Sequence, residues 1–567
     1  MSRDALVALR CKPWVKAGWK IWVDALCINQ QDVLERATQV KRMREIYTRA
    51  WTPLVWLGAA SDGSEQVMDV LGAIAADEGI QDGVNALEKF VARRPEVFQR
   101  GIWRATYDFV ARVYWTRVWV LQELSLGKAN MPILYGDRTR RWDEVYRFFA
   151  LLGTADDIWN QYIVEELAEV GRVIERDPHG MLDPSHKIWK HQKEVESGGR
   201  GLNLLQVMSL SREDDSTNPR DKVYGLLALM DRKVAAEIQV EYLSSVEQVY
   251  SHFIKVAIKV TKLLELLRHV AYVGSFELPC WVPDWTATTV MLPMTSMPYR
   301  ASGDVVAEVT YPHPDILACR GFILDTLDGL GTVWRDEEEV WPRSTVRQTA
   351  SQHNAYGTFE GMRDALWRTL VANRNSQGSI LEEDYSVLLA APALFKARHS
   401  LRNGEVKSIA HNFLMSWCAG FFAGNASLKL AGRQLTSYLV SDMDPDAVDS
   451  SVLRNALIAR DRLNIRRRLF STWKGYLGMV QHDALPTDVV CILYGCSMPM
   501  VLRPSEGGFL LVGECYLHGL MEGEAFELLR RQDTVERDFR LVGRNVDVPR
   551  TINHGNFAKG WKYTEEA

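Results

Sequence analysis

The 567-residue sequence contains no C-x-x-C pair, and none of its eight cysteines has a histidine at zinc-ligand spacing. Zinc fingers and thioredoxin-type redox motifs are thereby disfavoured. The scattered thiols Cys11, Cys27, Cys280, Cys319, Cys418, Cys491, Cys496 and Cys515 read as reduced, mostly buried small apolar residues. Long hydrophobic runs are lacking too. No stretch of about 18 apolar residues occurs, and the start, MSRDALVALRCKPWVK, has no hydrophobic segment of signal-peptide length. A cytoplasmic protein with no membrane span is expected, so Asn425, in an Asn-Ala-Ser sequon, should stay unglycosylated. A dominant charge is also missing. Lys plus Arg number 67 against 72 Asp plus Glu, a formal net charge of -5, so nothing global draws the chain to nucleic acid or anionic lipid. The motifs G-x-x-x-x-G-K-[ST], G-x-G-x-x-G and G-x-S-x-G are absent, which removes support for a P-loop, a conventional dinucleotide fold and a hydrolase elbow. Internal repeats and low-complexity tracts are absent as well.

What is present is an ordinary globular composition, 47% hydrophobic and 25% charged, long enough for two to four domains. The most informative stretch is IWVDALCINQQDVLERATQVKRMREIY, Ile21 to Tyr47. Its start reads as a strand buried on both faces with Asp24 inside it. Asp32 and Glu35 form a capping-box pattern, and Val40, Met43, Ile46, Tyr47 and Ala50 follow at helical spacing. A second strand, LVWLG, comes next, completing a strand-helix-strand crossover. Such units place ligands beyond the carboxyl ends of their strands, where Asp24, Asn29 and Gln30 would lie.

The expected architecture is α/β: a doubly wound parallel sheet in residues 1–150, a helical continuation over 151–235 and a mixed β-rich segment over 236–340. A mainly helical segment over 341–480 and a small C-terminal antiparallel β module over 481–567 complete it. A helix is expected from Asp4 to Arg10, a strand at MPILYG, and an exposed loop from Glu194 to Gly201. Asn218, Pro219, Arg220 and Asp221 mark a helix start, with Arg220 and Asp221 read as an ion pair there. The basic run Arg466 to Arg468 reads as a solvated helix face. The C-terminal strands are VVCILYG, PMVLRP and FLLVGECYLHGLM. His518 beside Glu514 or Glu524 lacks a third ligand, so no metal site is expected.

The segments IWVDALCINQQDVLERATQVKRMREIY, WTPLVWLG, RVWVLQEL and NPRDKVYGLLALM, in that order, resemble the fungal heterokaryon incompatibility (HET) domain family. LPCWVPDWT, RRLFSTWKGYLGMV and LVGECYLHGLMEGEAF look like segments that accompany this domain. HET domains usually open with a strand carrying a Tyr-x-Ala-Leu-Ser-Tyr-x-Trp-Gly-like motif, whereas this sequence begins at the following helix, an apparently shortened N-terminus. The resemblance implies a role in fungal self/non-self recognition and cell-death signalling. Its partners would be proteins of an incompatibility system, self-association included.

Trp115, Trp119 and Glu123 fall at i, i+4 and i+8, so on one continuous helix a carboxylate shares a face with two indoles. If that face is buried, the Glu123 pKa rises unless Arg112 or Arg117 pairs with it. The string TRVWVLQEL also resembles the Trp-and-Glu box of TIR domains, whose glutamate is catalytic in the NAD-cleaving members. That resemblance implies a TIR-like core in which Glu123 stabilises the ribosyl cation left as nicotinamide departs from NAD. Asp24, Asn29, Gln30 and Trp119 would then contact the NAD substrate, with no resident cofactor and no metal. The alternative is structural, with Glu123 paired to an arginine and fixing its helix to the sheet.

Overall fold

The computed structural model describes residues 20–543 apart from 81–85, 154, 156–157, 175–187, 190–191, 193–201, 211, 213, 271–275, 288–292, 295–297, 334–346, 348–349, 376–377, 401–417, 442, 445–447 and 465–466. The helix expected at Asp4 to Arg10 and the whole loop from Glu194 to Gly201 lie outside these residues. The described chain divides into two compact units, residues 20–246 and 247–543. Each has its own core.

In the first unit the expected capped helix forms as α1, Val33–Arg49. The Asp32 carboxylate accepts the backbone N–H groups of Leu34 and Glu35 at 3.0 Å each, satisfying two donors that the helix itself cannot pair. Glu35 accepts the Asn29 N–H at 3.1 Å, one turn further back than a strict capping box requires. Strand β1, Val55–Trp56, is the heart of the LVWLG run, and β2, Pro132–Tyr135, is that of MPILYG. They pair in parallel, Val55 opposite Ile133, and β3, Arg138–Arg141, adds to β2 antiparallel. Between β1 and β2 run α2, Ser64–Ala76, α3, Ile102–Val110, and α4, Val118–Leu126, and α5, Trp142–Leu152, follows β3. Each of these helices buries an apolar stripe, such as Val67, Leu71 and Ile74 of α2.

The strand expected at Ile21 is absent. Residues Asp24–Cys27 make a single helical turn with no buried residue, closed by Cys27 N–H to Val23 O at 2.8 Å and Ile28 N–H to Asp24 O at 3.1 Å. Ile21, Trp22 and Leu26 are exposed, so no hydrophobic burial draws this run into a sheet. An apolar run cannot make a strand where no neighbouring edge accepts its hydrogen bonds. The unit is mixed α/β, with one parallel and one antiparallel pairing in its three-stranded sheet.

The second unit is built on antiparallel strands. They are β4, Val309–His313, β5, Ile316–Leu330, β6, Arg467–Thr472, β7, Leu477–Gln481, β8, Val489–Leu493, β9, Met500–Ser505, β10, Gly508–Leu517, and β11, Glu536–Leu541. The three C-terminal strands expected from the sequence are β8, β9 and β10. Pairing runs β5 to β6, β6 to β7, β7 to β10, β10 to β9, β9 to β8 and β8 back to β5, a closed ring of six antiparallel contacts. Phe322, Leu327, Phe470, Val480, Val490, Ile492, Val501 and Val512 fill it. Closure leaves these six strands no bare edge within the ring, and the long strand β5 also carries β4 and β11.

Of the run Arg466 to Arg468, Arg466 lies outside the described residues, and Arg467 and Arg468 are not on a solvated helix face. Helix Ser450–Asn464 stops before the run, and Arg467 and Arg468 are buried residues of β6. Arg467 donates to the fully buried Glu514 at 3.0 Å, which also accepts Arg268 Nε at 2.7 Å. Arg468 donates to the Gly331 carbonyl at 2.7 Å. Buried guanidinium groups persist because each finds such acceptors. Asn425 is buried too, its amide bonded to Thr332 N and Phe421 O, so the folded chain offers no acceptor at that sequon.

Candidate functional site

The four N-terminal motifs converge in the first unit. The indole of Trp119 on α4 donates to Asp221 Oδ2 at 3.3 Å, and the Tyr242 hydroxyl donates to Asp221 Oδ1 at 2.7 Å. Gln122 Nε2, one residue before Glu123, donates to the Gly225 carbonyl. Gly225 itself is needed for this approach, since a Cβ there would lie 2.7 Å from Asp221 O and 3.1 Å from Val118 Cγ1. RVWVLQEL and NPRDKVYG are thus two halves of one seam. The helix expected at Asn218 is a single turn, Asp221–Tyr224, followed by further buried turns. Arg220 turns away to the Ser244 carbonyl at 2.7 Å and is no ion-pair partner for Asp221, on which its charge acts only at longer range.

Glu123 lies on the same face of α4 as Trp119 and is partly buried. Tyr114 donates its hydroxyl to Glu123 Oε2 at 2.9 Å, and the Tyr47 hydroxyl of α1 donates to the same carboxylate. Burial pushes the Glu123 carboxyl above the usual carboxylate range. The Tyr114 hydrogen bond, the Arg117 charge and the Tyr47 hydrogen bond pull it back, while the charge of Asp24 adds to the rise. Both phenols are shifted well above the ordinary tyrosine range, first by burial and then by the charge of Glu123. Burial also raises Asp221, against the opposing hydrogen bonds of Tyr242 and Trp119 and the charges of Arg36 and Arg220.

The expected three-residue face is interrupted. Residues Val113–Thr116 form a 3-10 turn, and α4 begins only at Val118, so Trp115 is not in register with Trp119 and Glu123. Trp115 is instead a core residue, its indole donating to Phe109 O at 2.8 Å and its ring packed on Phe149 and Trp142. Arg112 does not serve Glu123 either. Its guanidinium lies over the Tyr135 ring, 4.5 Å from the centroid, and donates to Ser61 Oγ at 2.9 Å. Arg117 is exposed and acts on Glu123 through its charge.

Asp24, Asn29 and Gln30 are exposed on the segment that leads into α1. Gln30 Nε2 donates to Asp24 O at 3.1 Å, and Asn29 Oδ1 accepts the Gln31 N–H at 3.2 Å. Of the three, Asp24 is the one electrostatically coupled to Glu123. Tyr47, Tyr114, Tyr242 and Arg36, whose guanidinium sits 3.8 Å over the Tyr242 ring, are members of this network that the sequence did not single out for chemistry. Tyr47 is visible beforehand only as one more apolar position of a helix. The described residues contain no group of three or more His, Cys, Asp and Glu side chains placed to hold a metal ion. No helix among them is long and apolar enough to cross a membrane.

The family profile described as heterokaryon incompatibility protein (HET) matches residues 2–123, a segment that ends on Glu123. The Het-6 beta-barrel domain profile matches residues 441–542, which hold eight of the second unit's elements, from helix Ser450–Asn464 through helix Ala525–Arg530 to β11. Heterokaryon incompatibility protein 6, OR allele, of Neurospora crassa is 24% identical over an alignment covering 90% of this chain and 82% of that protein. No solved structure matches the chain. The chain thus carries a segment matching the heterokaryon incompatibility (HET) family at one end and a Het-6 barrel segment towards the other, and it is similar to a heterokaryon incompatibility protein along the length between them.

Proposed function

We infer that the chain works in fungal self/non-self recognition, as a cytoplasmic signalling protein whose N-terminal unit is an interaction module and whose engagement leads to cell death. The observation that carries this reading is the likeness to a heterokaryon incompatibility protein along nine-tenths of the chain, with both family segments in place. Protein partners, a second copy included, suit a near-neutral chain better than nucleic acid does. The test is expression in fungal strains of defined incompatibility genotype, followed by fusion and vital staining of the fused compartments. Death confined to particular pairings is expected. Survival in every pairing, with the protein accumulating normally, would overturn the reading.

A second reading, a TIR-like NAD glycohydrolase activated by assembly, draws support from Glu123. A partly buried carboxylate held by two phenols, with Asp24 close and Trp119 on the same helix face, has the make-up of a site that stabilises positive charge. The parallel pairing of β1 with β2 across a helical crossover is the feature that fits a TIR-like core. In this chemistry the bond from ribose C1′ to the nicotinamide nitrogen breaks and its electron pair leaves with nicotinamide. Water adds to C1′ and loses a proton, while Glu123 offsets the ribosyl cation. Asp24, Asn29, Gln30 and Trp119 are the proposed substrate contacts. Purified protein should release nicotinamide from NAD, and Glu123→Gln should not. Equal release by both proteins would remove Glu123 from the chemistry.

A further inference from the structure

Helix α1 is held on the first unit by one narrow stripe. Arg36, Val40, Met43 and Tyr47 recur at intervals of four, three and four residues, which stacks them along a single face. Val40 and Met43 are the helix's two fully buried residues out of 17, whereas α3 buries seven of nine and α4 five of nine. The ends of the stripe are polar anchors, the Arg36 guanidinium over the Tyr242 ring and the Tyr47 hydroxyl on Glu123. Flanking positions such as Ala37, Arg44 and Ile46 are only half-buried, and Leu34, Lys41, Arg42, Thr48 and Arg49 are exposed. On the N-terminal side, the turn Asp24–Cys27 adds no buried residue.

The helix also carries its own support. Asp32 caps its first turn, and Glu45 accepts Arg49 at 2.8 Å one turn later, so helicity does not depend on the face that is docked. A helix that is locally self-sufficient but shallowly anchored can leave as a unit, at lower free energy than the core needs to unfold.

We propose that α1 is a strap laid over Glu123, fastened at Tyr47 and Arg36, and that its release bares the Glu123 carboxylate and the neighbouring face of α4. The strap gives the first unit a closed and an open state between which a partner can choose. Its regulatory meaning rests on the signalling reading above, but the following measurement uses purified protein alone, so the two can fail separately.

The test is native-state hydrogen exchange on the full chain, read by peptide mass spectrometry. Amides of 33–49 are expected to exchange about ten-fold or more faster than those of 102–110. Tyr47→Phe, which removes one hydrogen bond to a carboxylate, should speed 33–49 by a further factor of about ten and leave 102–110 unchanged. If Tyr47→Phe does not fold, Arg36→Met at the other anchor supplies the same comparison. Exchange of 33–49 as slow as that of 102–110, or equal acceleration of both by the variants, would overturn the proposal.

Discussion

Glu123 carries opposing influences that a pH series can separate. Its carboxyl is raised in the folded chain, so the folded state binds the proton more tightly than the unfolded state. By linkage, the contribution of this group to stability is most favourable below its unfolded value. It declines as pH climbs from there through the raised folded value, then levels off. The Tyr114 hydroxyl works against that decline, because a phenol donating at 2.9 Å favours the ionised form. Tyr114→Phe should therefore cost about 2 kcal/mol at around pH 7.5 and distinctly less near pH 4. Denaturant unfolding at the two pH values measures this. An equal cost at both would mean that the phenol does not bond to an ionised carboxylate. His518 titrates in the opposite sense. Burial lowers it from 6.5 to about 4, so the second unit loses stability as pH falls through that interval, when the unfolded chain takes up a proton the folded one resists.

At the scale of elements, the seam between α4 and the Asp221 turn is where a small change has the largest reach. Gly225 has φ −66°, a value any residue adopts, so its requirement is purely one of space. Gly225→Ala would press a methyl group against the Asp221 carbonyl and Val118, moving the turn that positions the carboxylate under Trp119 and Tyr242. A loss of about 1–3 kcal/mol is expected, with a change in tryptophan fluorescence as Trp119 loses its partner. An unfolding midpoint and emission spectrum identical to those of the native chain would show that the seam can yield. Such a seam was half legible in the sequence. The motifs RVWVLQEL and NPRDKVYG were identified and their contact was not, because pairing at a sequence separation of about a hundred residues leaves no local periodicity. Helix α1 with its cap and strands β8 to β10 were readable, since short-range spacing and turn residues decide them. The strand expected at Ile21 failed because an apolar run alone does not supply a partner edge, and Arg467 and Arg468 were misread because charge normally marks surface. At the site, Glu123 was singled out from its spacing to Trp119, whereas Asp24, expected at a strand end, lies on an exposed helical turn and acts on Glu123 through its charge. The phenols were not singled out, because a tyrosine in an apolar stripe looks like core until its hydroxyl has a visible acceptor.

The whole molecule shows a mismatch between where a domain is recognised in sequence and where it is complete in space. The barrel profile covers residues 441–542, yet the ring closes only through β5, Ile316–Leu330, which lies more than a hundred residues upstream. On one side β5 pairs with β8 from Gly321 to Thr326, and on the other with β11 and then β6. The approach is close: a Cβ on Gly321 would sit 2.0 Å from the Ile492 carbonyl, so the strands meet where no side chain fits. Removing β5 strips Phe322, Leu324, Leu327 and Leu330 from the barrel core and leaves β6 and β8 with unpaired edges. Buried backbone groups without partners and an opened apolar core are each costly enough to outweigh the stability of a domain this small. A fragment of residues 441–542 is thus expected to be poorly folded, with little protection in hydrogen exchange and rapid proteolysis, whereas one spanning 300–543 should resist both. A stable, cooperatively unfolding 441–542 fragment would show that β5 decorates a barrel that the C-terminal strands can close without it.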